Sequence, residues 1–322
     1  MSPDRSQGAP STACIACGGT RWRVLHHIGP YTILQCPHCL LAKTRGASLD
    51  EATFYNSEYF VGAGGPKGYA DYFSLAVAME RTNRTRIRRL LRLAPHARTL
   101  LDVGCGPGFF VKAACDAGIE ARGLEISDFA ANHAREKLGL RVVAGPVDDA
   151  HLAQTGGPFD LITLWDTLEH LPNPDEALRL LTQRLTAGGV LSLSTGDIAS
   201  FVARMSGRRW HLFNLPEHLW FFSAPSLKLL LRHLGMAVVT REREVCWYTA
   251  HYLLERLSVT FGWPALRLPG TAILKRLNLP LTLLDIMTVH ASAWTPRRAR
   301  RCPRRWPACT SPRDGTTWPR TW

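Results

Sequence analysis

The sequence predicts an α/β domain organised around a doubly wound, mainly parallel sheet, with a small four-cysteine module in front of it. Three observations carry this. Between residues 99 and 291, short apolar runs alternate with segments of helical periodicity. A glycine-rich turn, Gly104-Cys105-Gly106-Pro107-Gly108, directly follows the first of those runs. Two Cys-x-x-Cys pairs, Cys14/Cys17 and Cys36/Cys39, precede them all.

The chain has 322 residues, 46% hydrophobic and 20% charged, which suffices for one large domain plus an appendage. The opening MSPDRSQGAPSTA is polar and has no apolar leader. No run of about 18 uncharged apolar residues occurs. The nearest stretch, 252–290, is broken by Glu255, Arg256, Arg267, Lys275, Arg276 and several prolines. Secretion and membrane spanning are therefore not expected, and a reducing cytoplasm is. The formal charge is +13, and residues 295–322, with eight Arg and one Asp, supply +7 of it.

Residues 1–12 read as disordered. Residues 13–45 form the cysteine module, with β-like runs TRWRVLHHI and YTILQC between the pairs. Residues 46–94 read as a Tyr-rich lid and helical linker: Tyr55, Tyr59, Tyr69 and Tyr72 either cover a ligand or pack the module on the sheet, and 76–93 has helical periodicity. The main domain spans 95–293. TLLDVG (99–104) reads as a buried parallel strand, followed by a helix over 108–117. ARGLEI (121–126) is the second strand, followed by a helix capped by Ser127 and closed by Gly139. RVVAG, FDLITLW (159–165) and GGVLSLST (188–195) are the third, fourth and fifth strands, with a helix over 174–185 between the last two. Ser223 caps another helix, and MAVVTREREV and LTLLDIMTVHA supply two late strands. The Arg-, Pro- and Trp-rich 294–322 has no periodicity. It reads as a basic arm for nucleic acid or membrane surfaces, or as a disordered, non-native end, and the composition favours the second.

The glycine turn has a physical purpose. A loop that turns sharply and lets its backbone approach a ligand needs residues without Cβ. Glu125, at the end of the second strand, can accept both hydroxyls of a ribose. A dinucleotide fingerprint would require glycine where Phe109 stands. Asp102-Val103-Gly104-Cys105-Gly106-Pro107-Gly108, Glu125, FDLITLWDTLEHLPNP and GGVLSLST, in that order, resemble the class I S-adenosylmethionine (SAM)-dependent methyltransferases over 95–290. The resemblance implies a Rossmann-like seven-stranded sheet of order 3-2-1-4-5-7-6 with the last strand antiparallel. It also implies SAM as cofactor. Asp102, Gly104 and Gly106 would line its methionine part, Glu125 its ribose, and Asp148 or Asp149 its adenine. Cys105, Gly108, Ile126 and Trp165 would lie against it too, while Asp160 would be structural.

Asp166-Thr-Leu-Glu169-His170 follows the fourth strand, where functional side chains of doubly wound sheets gather. His170 is a candidate base at neutral pH. His218, in NLPEHLWFF, is a second candidate. The segment is similar to the ExxEH segment of ubiquinone-pathway O-methyltransferases and to the ExxEH-plus-His set of small-RNA 2′-O-methyltransferases. That likeness implies a divalent ion such as Mg²⁺ at Asp166, Glu169 and His170; the bland alternative is packing alone.

The two cysteine pairs have the spacing of a zinc ribbon, in which four thiolates close a tetrahedral structural Zn²⁺ site. A zinc module ahead of this domain resembles bacterial sugar C-methyltransferases and related polysaccharide or secondary-metabolite enzymes. The expected function is methyl transfer from SAM to oxygen or carbon of a small-molecule or glycan-precursor acceptor. One alternative is an RNA methyltransferase that grips nucleic acid with the zinc module. Another is a non-enzymatic zinc-ribbon interaction protein with a decayed SAM fold.

Overall fold

A computed structural model describes residues 13–47, 54–62, 72–73, 76–243, 245–251, 253–254, 274, 277–282 and 284–293. The expected disordered ends, 1–12 and 294–322, and Tyr69 lie outside the described residues.

The cysteine module contributes β1 (Arg23–Ile28), β2 (Tyr31–Gln35) and β3 (Ala42–Arg45). The short α1 (Ser57–Val61) and the long α2 (Ala76–Leu93) follow. The main domain then runs β4 (Thr99–Val103), α3 (Phe109–Asp116), β5 (Glu120–Glu125), α4 (Asp128–Leu138), β6 (Val142–Ala144), α5 (Asp149–Thr155) and β7 (Phe159–Trp165). It continues with α6 (Pro174–Gln183), β8 (Leu185–Gly196), α7 (Phe201–Ser206), β9 (Trp220–Phe221), α8 (Ala224–His233), β10 (Met236–Glu242), β11 (Val245–Thr249), β12 (Asn278–Thr282) and β13 (Ile286–Ala293). No described helix is long and apolar enough to cross a membrane.

The seven-stranded sheet has the order β10-β13-β8-β7-β4-β5-β6. β4 pairs parallel with β5 and β7, β7 with β8, and β5 with β6, whereas β13 runs antiparallel to both β8 and β10. Numbered along the sheet this is 3-2-1-4-5-7-6, as the sequence leads one to expect. The central strands are apolar on both faces because both are covered. Leu100 and Leu161 pack with Ile87, Leu90 and Val111 on one side. Leu101, Ile162 and Leu191 pack with Leu152, Leu178, Leu181 and Leu227 on the other.

The caps follow the local chemistry. Ser127 accepts from the Ala130 N–H, Gly139 closes α4 in the left-handed region, and Ser223 forms a reciprocal box with Ser226. Two late segments differ from the expectation. MAVVTREREV divides into β10 and the start of β11, and LTLLDIMTVHA into the end of β12 and β13. β11 and β12 pair with each other in a separate ribbon. Each segment runs on without a glycine or proline break, although Arg241–Glu244 and Asp285 fall near the changes, so periodicity alone did not mark where pairing partners change.

The cysteine module does not stand apart from the main domain. β9 adds to its sheet, giving β1-β2-β3-β9. Cys14, Cys36, Cys39 and Leu41 share a core cluster with Leu168, Phe222 and Leu227. Ser223, the cap of α8, donates its hydroxyl to the Cys39 carbonyl at 2.7 Å.

Candidate active site

The turn after β4 is held by main-chain and carboxylate contacts. Gly104 N–H donates to the Leu124 carbonyl at 2.8 Å. Glu125, buried, accepts from Gly106 N–H at 2.7 Å through Oε2 and from Ser127 N–H at 2.9 Å through Oε1. Burial pushes its pKa up, partly offset by those backbone N–H groups. Two glycines of the turn have no substitute. Gly104, at φ +68°, would bring a Cβ within 2.5 Å of Thr167. Gly108, at φ +89°, would meet Leu140 at 2.7 Å and Ala134 at 2.9 Å. Cys105 is buried, and burial raises its thiol pKa. Ile126 is half-buried at the end of β5.

Asp102 is 2% exposed and accepts from the Thr163 hydroxyl at 2.6 Å. Burial pushes its pKa up to about 7 against the lowering effects of Thr163 and Arg86. Arg86 is the residue that the sequence reading missed. It lies on the buried face of α2 with Asn83, Ile87 and Leu90. Its guanidinium sits 4.2 Å from the Trp165 ring centroid and 3.8 Å from Asp166 Oδ2. The signal was available, because an arginine at the i, i+1, i+4 spacing of Ile87 and Leu90 falls on the apolar stripe. Tyr72 stacks parallel to Phe109 with centroids 6.2 Å apart, and its hydroxyl lies 3.9 Å from where a Gly106 Cβ would be. Burial, with Glu125 and Asp166 nearby, raises its pKa.

Past β7 the backbone turns through Asp166 at φ +50°, a left-handed conformation uncommon for a residue other than glycine. Ser194 secures it: Asp166 N–H donates to Ser194 Oγ at 3.0 Å, and the Ser194 hydroxyl donates back to Asp166 Oδ1 at 2.8 Å. The turn leaves Asp166 facing Arg86 and sends Glu169 and His170, on a short 3-10 turn (Leu168–His170), elsewhere. There they meet His218. One ligand-type atom from each of Glu169, His170 and His218 lies within 4.8 Å of the others. Asp166 is not in this group, so the three-residue set read from the sequence is altered: His218 takes the place of Asp166.

The two imidazoles are oriented alike. His170 Nδ1 faces the Glu217 carbonyl at 3.1 Å and the Tyr55 hydroxyl at 2.9 Å, and His218 Nδ1 faces the Leu212 carbonyl at 2.8 Å. A ring nitrogen opposite a carbonyl carries the proton, leaving Nε2 of each ring as the lone-pair atom. Burial lowers the His170 pKa to about 4 and that of His218 well below its usual value. Burial and the Asp166 carboxylate raise Glu169 to about 8. Its Oε2 has no hydrogen-bond partner, an orphaned buried oxygen that asks for a proton or a cation. Tyr59 donates to Glu217 Oε2 at 3.4 Å, and the Ser127 hydroxyl donates to the Tyr55 carbonyl. The α1 segment thus bridges the Glu125 and His170 sides.

The other expected residues lie farther out. Asp148 caps α5, accepting from His151 N–H and facing His151 Nδ1, both at 2.8 Å, and Asp149 is exposed. Asp160 accepts from Arg98 N–H at 2.8 Å and steadies the start of β4. In the cysteine module, Cys14 Sγ and Cys39 Sγ are 3.5 Å apart, as are Cys17 Sγ and Cys36 Sγ, and the four converge within 4.8 Å.

Comparison with known proteins bears on the whole arrangement. Residues 76–241 match the family model described as a methyltransferase domain. Ubiquinone biosynthesis O-methyltransferase from Azoarcus sp. is 29% identical over 44% of this chain and 66% of its own length. The protein of that name from Methylococcus capsulatus is 35% identical over 37% of this chain and 53% of its own. The chain therefore spans about half to two-thirds of the length of these relatives. Magnesium protoporphyrin IX methyltransferase from Synechocystis, solved with bound SAH, aligns at 14% identity and a TM-score of 0.47, over 72% of this chain and 91% of that one. With the family model covering more than half of its residues, the chain belongs to the SAM-dependent methyltransferases.

Proposed function

We propose that the protein methylates a hydroxyl of a small-molecule or glycan-precursor acceptor, and that the Glu169–His170–His218 group handles the acceptor's proton. The observation that carries this reading is that one ring nitrogen of His170, one of His218 and a carboxylate oxygen of Glu169, a side chain whose Oε2 is orphaned, converge within 4.8 Å beyond the turn after β7. Methyl transfer from a sulfonium needs alignment and, for a hydroxyl, removal of one proton. Burial keeps both imidazoles unprotonated at neutral pH, the state that can receive a proton or a cation, and at the same time makes them weaker bases than a free histidine. The small-molecule O-methylation named for the two relatives supports the same acceptor class.

On the cofactor side, Asp102, Gly104, Cys105, Gly106 and Gly108 line the methionine part, with Trp165. Glu125 and Ile126 take the ribose side, and Asp148 or Asp149 the adenine side. SAM carries an ammonium, a sulfonium and one carboxylate. The acids suit the cations, and Arg86, a buried cation beside Asp102 and Asp166, suits the carboxylate.

Two metal sites belong to this reading. Thiolates about 2.3 Å from Zn²⁺ lie about 3.8 Å apart, close to the sulfur spacing here, so Cys14, Cys17, Cys36 and Cys39 fit a structural zinc. Glu169, His170 and His218 fit a divalent ion, because ligating histidines usually donate their other ring N–H to a carbonyl, as both do here. A cation there would lower the pKa of an acceptor hydroxyl. Two imidazoles and one carboxylate suit a transition ion better than Mg²⁺.

The test is mass spectrometry of metabolite extracts incubated with the protein and methyl-labelled SAM, wild type against His170→Ala. A labelled small molecule made by the wild type and strongly reduced in the variant is expected. Label appearing only in RNA, or equally with both proteins, would overturn the reading. Elemental analysis is expected to find one zinc per chain.

A further inference from the structure

A basic and apolar hump lies between β8 and β9, in a region the methyl-transfer reading does not use. Phe201 is 76% exposed and Met205 71%, more than any other large hydrophobic side chain among the described residues. Four residues apart on α7, they share one face. Arg204, Arg208 and Arg209 are exposed around them. Residues 198–216 contain no Asp or Glu.

The hump is not a frayed loop. Ser200 caps α7 by accepting from Ala203 N–H at 3.1 Å. Ala203 and Trp210 are buried beneath it, and the Trp210 indole N–H donates to buried Asp285 at 2.6 Å. The fold therefore fixes two large apolar side chains in water and surrounds them with cationic groups.

The occupant must accept both features. A second copy of this chain, docked symmetrically, would set three arginines against three. Two apolar side chains also fall far short of the roughly 800 Å² per partner of a stable protein interface. An anionic bilayer satisfies both, since Phe and Met enter the headgroup–acyl boundary while the guanidinium groups meet phosphates. We propose that this protein docks peripherally on anionic lipid bilayers through Phe201 and Met205, held by Arg204, Arg208 and Arg209. The proposal does not depend on which molecule is methylated.

The test is flotation of the full, zinc-loaded chain with phosphatidylcholine vesicles, with and without phosphatidylglycerol. Two variants accompany the wild type: Phe201→Ser with Met205→Ser, and Gln at Arg204, Arg208 and Arg209 together. SAM affinity by calorimetry checks that each is folded. The wild type is expected to bind only the mixed vesicles. The arginine variant is expected to bind roughly a hundredfold less tightly, at about fivefold per charge, and the Phe201/Met205 variant at least tenfold less tightly. If both variants bind like the wild type, the contact belongs to the arginine-rich residues 295–322 and the proposal falls. Equal binding to phosphatidylcholine alone would also overturn it. So would a dimer, seen by light scattering, that dissociates when Phe201 and Met205 are replaced.

Discussion

Replacing Arg86 with Met keeps the aliphatic stem and removes the guanidinium. In the wild type that group lies 4.2 Å from the Trp165 ring centroid and 3.8 Å from Asp166, at 9% side-chain exposure. If it receives the SAM carboxylate, the variant loses a hydrogen bond between charged partners, about 1.5–3 kcal/mol. SAM affinity should then fall roughly 10- to 150-fold. 5′-Methylthioadenosine has the same adenosine and sulfur but no amino-acid carboxylate, so its affinity should stay within about twofold. Calorimetry with both ligands on both proteins separates a lost carboxylate contact from a damaged pocket. Equal losses for the two ligands would refute the argument, because they would show that Arg86 supports the fold around Trp165 and Asp102.

Three further outcomes follow from particular contacts. Thr44 donates its hydroxyl to the His218 carbonyl and its N–H to the Leu219 carbonyl, both at 2.8 Å. Thr44→Val should cost about 1 kcal/mol of alignment, seen as roughly fivefold slower turnover with unchanged SAM affinity, and Thr44→Ser should restore it. Gly108→Ala should destabilise the protein by about 2–4 kcal/mol in denaturant titration, through the left-handed φ and the crowding by Leu140 and Ala134. His290 is buried against Ser192, and burial lowers its pKa from 6.5 to about 4. The unfolded chain therefore binds the extra proton between those values. The contribution of His290 is complete above pH 6.5 and is lost as pH falls toward 4, by about 3 kcal/mol. In urea titrations across that window, His290→Gln should flatten the acid-side decline; an unchanged slope would show that other groups cause it.

Much of the scaffold is local chemistry and could be read directly. The Ser127 and Ser223 caps, the Gly139 stop, the glycine turn and the run of buried strands each depend on residues within a few positions of one another. The paired cysteines are similar, because each Cys-x-x-Cys sets two thiols on one tight turn. Strand limits near the C-terminal end were less legible. The boundaries of β10, β11, β12 and β13 depend on which neighbour each one pairs with.

The sequence by itself determined the alternation of strands and helices, the bend at 104–108 with Glu125 nineteen residues beyond Gly106, and the four-sulfur cluster. These arise from backbone sterics, hydrophobic period and short-range spacing. Only the tertiary structure decided that Asp166 turns toward Arg86 while Glu169 and His170 meet His218, 48 residues further along. It also decided that β9 joins the cysteine module's sheet and sets Thr44 against that histidine. Those contacts join segments distant in the chain, and the path of the backbone between them is chosen by packing of the whole core, which local residue pattern does not encode.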